Sequence, residues 1–227
     1  MNNLKAIGES FQDESLFVTA LTHRSYINEN RSVSENNERL EFLGDAVLEY
    51  VVSSFIFKEY PNKEEGFLTA LRANIVNTQN LAELSKRLGL GKELRLSKGE
   101  EQGNGRNNES LLADTLEALI GAIYIDRGLS HAEEFIQLNL LSDVAEYLKT
   151  PLKDAKSRLQ EAVQSGGMPT PKYRVVKESG PDHAKEFEVE VFVENKMLAS
   201  GKGKSKNRAE QDAATEALAR LEADVVK

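Results

Sequence analysis

A nearly all-apolar segment that carries two carboxylates is the feature that most restricts what this chain can fold into. The fifteen residues LLADTLEALIGAIYI, from Leu111 to Ile125, contain only three polar residues, which are Asp114, Thr115 and Glu117. A helix that is apolar nearly all round is a buried helix. Burying a carboxylate without a partner costs several kcal/mol or forces the group to take up a proton. The fold must therefore supply something that compensates these two charges.

A second acidic group lies in the segment NERLEFLGDAVLEYVV. Glu38, Glu41 and Asp45 follow one another at i, i+3 and i+7, which places them within about 60° of one another on a helix. A solvated acidic face is the ordinary explanation of such spacing. Here the face is narrow, because Phe42 and Leu48 flank it and apolar residues cover the opposite side.

Two kinds of partner could compensate these carboxylates. The first is a buried ion pair, for which an arginine such as Arg39 or Arg72 would have to come from elsewhere in the fold. The second is a divalent cation, since Mg²⁺ binds through carboxylates and retains several waters. Spacing alone leaves both open. The chemistry that a carboxylate metal site supports is displacement at phosphorus.

Composition removes several other chemistries. The chain has no cysteine, which excludes disulfides, thiolate metal sites and cysteine nucleophiles, and its three histidines, His23, His131 and His183, argue against a histidine-built zinc site. The run GKGKS ending at Ser205 lacks the first glycine of a phosphate-binding loop, because that position is Leu198. No export signal or membrane span is visible, so we expect a cytoplasmic protein.

The chain divides unevenly near Pro151. Residues 1–150 hold 15 basic and 24 acidic residues, a charge of −9, whereas residues 151–227 hold 14 and 13, a charge of +1. Apolar spacing of three and four predicts helices in the first part, and the polar stretch 98–108 is typical of a flexible loop. The predicted helices of this part are Asn37–Lys58, Gly66–Leu88, Ser110–Arg127 and Ser130–Leu148.

The second part has a different pattern. A helix from Leu152 to about Ser165 precedes three segments, KYRVVKE, KEFEVEVFV and KMLASGK, in which apolar and charged residues alternate as in a sheet with one solvated face. A last helix follows. We therefore expect a multidomain protein, with an all-α domain over residues 1–150 and an α+β domain of order αβββα over residues 151–227.

Basic residues gather where the third predicted strand meets the last helix. Lys202, Lys204, Lys206 and Arg208 lie in GKGKSKNRAEQDAA. A helix N-terminus presents free N–H groups and a partial positive charge, so lysines gathered there favour phosphate binding. An ordinary solvated turn is the alternative for a basic run taken alone.

Taken together, these segments resemble the bacterial ribonuclease III family over nearly the whole chain. NERLEFLGDAVL matches the family's signature helix, ESLLADTLEALIGAIYID matches its second acidic helix, and the C-terminal order matches a double-stranded-RNA-binding domain. The resemblance implies an endonuclease domain that pairs into a homodimer around duplex RNA. It also implies hydrolysis by Mg²⁺-assisted attack of water, which leaves 5′-phosphate and 3′-hydroxyl ends with a short 3′ overhang. Precursors of ribosomal RNA and some messenger and transfer RNA precursors are the implied substrates.

The resemblance assigns roles to particular positions. It implies that the metal is held by Glu41, Asp45, Asp114 and Glu117. Of these four, Asp45 and Glu117 are expected to be indispensable to hydrolysis, with Glu38 and Glu65 as further catalytic acidic positions, and Phe42 matches an aromatic knob at the dimer interface. The implied RNA-binding residues are Gln160, Glu161, His183, Lys204 and Lys206, to which the basic run adds Lys202. Asn207 stands where related domains commonly have a basic residue.

The leading hypothesis is thus a Mg²⁺-dependent endoribonuclease for double-stranded RNA, with Mn²⁺ as a substitute ion, no organic cofactor and no membrane partner. One alternative is a regulator that binds duplex RNA without cutting it, which loss of an acidic residue would have indicated. The other is an acidic helical protein with a small α/β appendage. This last hypothesis predicts no effect of Mg²⁺ on the melting temperature.

Overall fold

The computed structural model describes residues 4–148, 152, 154–181 and 185–225. The chain forms two compact units, which divide between residues 152 and 153. The first unit is helical, and the second contains a three-stranded sheet with two helices. The multidomain fold class expected from the sequence, all-α followed by αβββα, is confirmed. Within the described ranges, no helix is both long and apolar enough to cross a membrane.

The helices of the first unit pack around one central helix, α9. Their bounds are α1 Leu4–Glu9, α2 Glu14–Ala20, α3 Arg24–Glu29, α4 Glu38–Glu59, α5 Glu65–Ile75, α6 Thr78–Leu88, α7 Leu90–Glu93, α8 Lys98–Gln102, α9 Glu109–Arg127, α10 Leu129–Asn139 and α11 Val144–Tyr147, with short 3₁₀ turns at Gly105–Asn107 and Leu141–Asp143. Helix α9 is buried over most of its length, as its apolar composition predicts.

Helices α4 and α9 touch backbone to backbone. A Cβ atom added at Gly44 would lie 1.7 Å from the carbonyl oxygen of Glu117, and one added at Gly121 would lie 2.2 Å from the carbonyl oxygen of Leu40. No side chain fits at either distance, so both positions require glycine. This crossing sets the spacing between the two acidic segments of the sequence.

Three local predictions for this unit were wrong. The single helix predicted over 66–88 is two helices, because the Asn77 side chain accepts a hydrogen bond from the Asn80 backbone and begins α6 as its N-cap. The helix predicted over 130–148 ends at Asn139 and continues only as a 3₁₀ turn and α11. The stretch 98–108 is not a loop throughout: it contains α8 and a 3₁₀ turn, and Arg106 holds it by donating to the carbonyl oxygens of Gly91, Lys92 and Leu94.

The second unit has its sheet on one side and its two helices on the other. Its elements are α12 Ala155–Ser165, β1 Lys172–Ser179, β2 Glu186–Val193, β3 Lys196–Gly203 and α13 Lys206–Val225. The strands are antiparallel in the order β1-β2-β3. The alternation predicted for β2 is present, because Val189, Val191 and Val193 are buried. Two of these, Val191 and Val193, pack with Leu159 of α12 and Ala213 of α13.

Candidate active site and RNA-binding surface

Four carboxylates meet where α4 crosses α9. Glu41 and Asp45 come from α4, and Asp114 and Glu117 come from α9. Carboxylate oxygens of Glu41, Asp114 and Glu117 lie within 4.8 Å of one another. Asp45 is not part of that triplet, although its charge acts on both Glu41 and Glu117. Two segments about seventy residues apart thus form one acidic cluster, which we call the α4/α9 cluster.

The protein environment disfavours negative charge in the α4/α9 cluster. Burial raises the pKa of the Glu117 carboxyl to about 8, and the charges of Asp45, Asp114 and Glu41 act in the same direction. Burial also raises the pKa of Glu41, with smaller effects of its acidic neighbours. The pKa of Asp114 is raised by burial as well, against an opposing effect of His23. Without a cation, Glu41, Asp114 and Glu117 therefore bind protons more readily than ordinary carboxylates do.

A buried ion pair does not explain how these charges are compensated. Arg72, one of the candidate partners, is bound elsewhere: its Nε lies 2.7 Å from Glu49 Oε2 and its Nη1 donates to Ser53 Oγ. Arg39, the other candidate, is exposed. In the part of the chain that the structure describes, no lysine or arginine forms an ion pair with Glu41, Asp45, Asp114 or Glu117. An all-oxygen set of this kind, short of cations, is the donor set that Mg²⁺ prefers.

Two carboxylates of the cluster, Glu41 and Asp114, line a cavity of about 670 Å³, which we call the acidic pocket; Asp45 and Glu117 are not among its lining residues. The sequence had indicated Glu38, Glu41 and Asp114 among its lining residues. It had not indicated His23, Arg24, Asn37, Glu100 or Asn108, which also line it. The available local signal applied to the two asparagines, because an asparagine directly before a helix is a common N-cap. The Asn108 side chain accepts hydrogen bonds from the first turn of α9, whereas the Asn37 side chain makes no capping hydrogen bond to α4.

The remaining predicted residues of the first unit lie outside the α4/α9 cluster. Glu38 begins α4 at the rim of the pocket and pairs with Arg24. Glu65 begins α5, is exposed, accepts a hydrogen bond from Thr69 and is not among the lining residues, so its catalytic role stays a prediction. Phe42 on α4 is 81% exposed, so it is not part of the core. An aromatic ring left in water is consistent with the predicted knob for a second copy.

In the second unit, the predicted lysines flank the start of α13. Gly201 and Gly203 face this helix so closely that a Cβ at either would lie within 2.6 Å of an α13 backbone nitrogen. Lys202 and Lys204 alternate with these glycines along the chain and are exposed, as is Lys206 at the first position of α13. The exposed basic run thus lies beside a helix N-terminus, as predicted.

The structure describes two of the three other residues that are predicted to contact RNA. Gln160 and Glu161 are exposed on α12, as a contact with a groove would require. His183 lies outside the described residues. Asn207 is exposed in the first turn of α13 and lines a small polar cavity together with Gln160. The roles of all these residues in binding RNA stay predictions.

Comparison with known proteins agrees with this geometry. A family described as ribonuclease-III-like matches residues 13–144, and a double-stranded RNA binding motif matches residues 155–221. A helical nuclease domain with a cluster of partly buried carboxylates, followed by this motif, defines an endoribonuclease of double-stranded RNA.

Related proteins that align with most of the chain identify its family. The ribonuclease 3 of Protochlamydia amoebophila is 44% identical over 95% of this chain and 89% of its own length, and that of Bacillus cereus is 46% identical over 95% and 88%. The nuclease domain of ribonuclease III from Campylobacter jejuni has a TM-score of 0.57 and 37% identity, covering 63% of this chain and 97% of that structure. The chain belongs to the ribonuclease III family.

Proposed function

We propose that the α4/α9 cluster, beside the acidic pocket, hydrolyses phosphodiester bonds of double-stranded RNA by Mg²⁺-assisted attack of water. The products are a 5′-phosphate and a 3′-hydroxyl end, with a short 3′ overhang. The proposal rests above all on three carboxylates whose oxygens lie within 4.8 Å of one another and that pair with no lysine or arginine among the described residues. Mn²⁺, which also binds carboxylate oxygens, is the expected substitute.

Glu41, Asp45, Asp114 and Glu117 are the residues that would hold the metal. When bound, Mg²⁺ supplies a more acidic water and stabilises negative charge on the attacking and leaving oxygens. The protein's own contribution is to place the carboxylates on two helices whose backbones are in contact at Gly44. Partial burial raises the pKa of Glu117 and so makes the cluster favour a bound cation over empty, ionised carboxylates.

The active form would be a homodimer. The exposed ring of Phe42, on the same helix as Glu41 and Asp45, supports an interface beside the acidic pocket. A similar solved structure, of the ribonuclease III nuclease domain from Campylobacter jejuni, is described as having a flexible region involved in dimer formation; it is 39% identical, with a TM-score of 0.55, and covers 61% of this chain.

Ribosomal RNA precursors and some messenger and transfer RNA precursors, in the cytoplasm, are the proposed substrates.

A regulator that binds RNA without cutting it would be expected to lack one of the four acids. All four are present in the sequence, and the relatives that cover most of the chain carry the name of the nuclease.

The test is Mg²⁺-dependent cleavage of a long RNA duplex by variants that remove one charge and keep the shape. Glu117→Gln and Asp45→Asn should each lower kcat by more than about a hundredfold, since changes merely next to metal ligands already cost up to that amount. Glu83→Gln, on an exposed face of α6, should leave the rate unchanged. Equal rates for Glu117→Gln and the unaltered enzyme would disprove the proposal.

A further inference from the structure

One residue lining the acidic pocket has a charge opposite to the rest. Among the described lining residues, Arg24 is the one with a permanent positive charge, and it lies with Glu38, Glu41, Glu100 and Asp114 around the same cavity. An RNA phosphate that approaches this cavity meets several carboxylates. A guanidinium is well suited to offset that repulsion, because its fork of N–H groups matches two phosphate oxygens.

The backbone on both sides of Arg24 is held in place. His23 donates its N–H to the carbonyl oxygen of Arg95 at 3.1 Å, and Ser25 Oγ accepts a hydrogen bond from the Ser97 N–H at 3.0 Å. The His23 ring nitrogen Nδ1 lies 2.8 Å from Ser25 Oγ, which links the two neighbours to each other. Arg24 therefore starts α3 from a stretch of backbone that these hydrogen bonds anchor.

Glu38 is arranged to direct this side chain rather than to join the α4/α9 cluster. Its Oε1 lies 3.3 Å from Arg24 Nη1, and its Oε2 accepts a hydrogen bond from Asn36 Nδ2 at 3.2 Å. The Glu38 backbone N–H donates in turn to Asn36 Oδ1 at 3.1 Å. Both carboxylate oxygens of Glu38 thus already have partners.

The pair is poorly suited to a structural role. The side chains of Arg24 and Glu38 are 68% and 50% exposed. Exposed ion pairs contribute little to stability, because water and salt screen them and two long side chains must be ordered. The contact with Glu38 involves Nη1 of Arg24, and a guanidinium has five N–H donors, so Arg24 can bind an incoming phosphate while the pair is kept.

We propose that Arg24 binds a backbone phosphate of the RNA strand at the acidic pocket, and that Glu38 is a positioning residue that holds the guanidinium at the rim. This inference rests on the proposed function, because it places the RNA at the same pocket. It makes Arg24 a binding residue of the nuclease domain, separate from the basic run of the second unit. Glu38 then acts through Arg24 and not on the reacting atoms.

The test measures kcat and KM for a long RNA duplex at saturating Mg²⁺ over a range of salt concentrations. Arg24→Gln should raise KM about tenfold, as loss of a hydrogen bond to a charged group does, and should leave kcat within about twofold of the original. The slope of log KM against log salt should fall by about one, the value for one phosphate contact. Arg24→Lys keeps the charge and should therefore keep most of the salt slope. The control is Arg31→Ala, which removes an exposed arginine outside the pocket lining and should leave KM and the salt slope unchanged.

Glu38→Gln distinguishes positioning from direct action. It should raise KM in the original enzyme and have little further effect once Arg24 is glutamine, because the two residues then form one unit. Unchanged KM and salt slope in Arg24→Gln would overturn the proposal, as would a loss of kcat from Glu38→Gln in both backgrounds. These results test the role of Arg24 alone, because Glu117 is intact in all these variants. The proposed function itself would be overturned by a different result, which is retained cleavage by Glu117→Gln.

Discussion

Neutralising Glu117 should stabilise the metal-free protein at alkaline pH. Its pKa is about 8 in the folded protein, against an ordinary value of 4.5, because burial and the charges of nearby carboxylates disfavour ionisation. The folded state therefore holds a proton that the unfolded state has lost, so stability falls as the pH rises from about 4.5 to about 8. At full weight this difference equals about 5 kcal/mol. Because the side chain is only partly buried, screening by water reduces the expected loss to about 2–3 kcal/mol.

The assay is urea unfolding of the chelator-treated protein, followed by the helical circular dichroism signal at pH 5 and pH 8.5. Glu117→Gln mimics the protonated side chain, so its stability should be close to that of the original at the lower pH. At the higher pH the variant should be more stable by about 2–3 kcal/mol. Saturating Mg²⁺ should recover the loss in the original protein, since bound metal compensates the same charge.

The control for this comparison is Glu83→Gln, which removes one exposed carboxylate from α6. It should shift stability by less than about 0.5 kcal/mol at both pH values. If Glu117→Gln changed the free energy of unfolding equally at pH 5 and pH 8.5, ionisation of Glu117 could not be the cause of the change.

Three further perturbations test the helix crossing, the dimer and the phosphate contacts. Gly44→Ala places a Cβ 1.7 Å from a carbonyl oxygen of α9 and should lower the free energy of thermal unfolding by about 1–3 kcal/mol or more. Gly66→Ala, whose Cβ would have no atom within 4 Å, should not lower it. Phe42→Ala should shift sedimentation toward a monomer, and Leu138→Ala, which removes another exposed apolar side chain, should leave it unchanged. Lys204→Ala should reduce the salt slope of duplex affinity by about one, and an unchanged slope would contradict a phosphate contact.

The long elements of the first unit could be predicted because their signals are local. Helix α4 agrees with the expected 37–58 and α9 with the expected 110–127, since each has an apolar spacing sustained over several turns. The break at Asn77 was missed because the prediction of a single helix relied on apolar spacing and not on capping residues. An N-cap asparagine was the available signal, and it decided the boundary.

The segment 98–108 shows where composition misleads. Its glycines and asparagines are typical of a flexible loop. In the structure, however, Arg106 donates hydrogen bonds to three carbonyl oxygens of the segment 91–94, and Gly105 is buried. Such contacts depend on tertiary structure and leave no local pattern. Glu100 consequently lines the acidic pocket, although nothing in its surrounding sequence had marked it.

The candidate site itself was partly predictable for a physical reason. Carboxylates at i, i+3 and i+7 share a helix face wherever the helix goes, so the grouping of Glu41 with Asp45 follows from their spacing alone. That Asp114 and Glu117 meet them depends on the close crossing of α4 and α9, which two glycines allow. The choice between an ion pair and a metal depended on where the arginines lie, and only the structure shows that Arg72 is bound to Glu49.

The proposed hydrolysis depends on a divalent cation bound by the carboxylates of α4 and α9. Electron paramagnetic resonance of Mn²⁺ titrated into the protein of residues 1–227, without RNA, measures this binding directly. Asp114→Asn should weaken Mn²⁺ binding by at least about tenfold, while Glu83→Gln should bind Mn²⁺ as tightly as the original protein. Equal Mn²⁺ affinity in Asp114→Asn and the original protein would show that these carboxylates do not hold the cation.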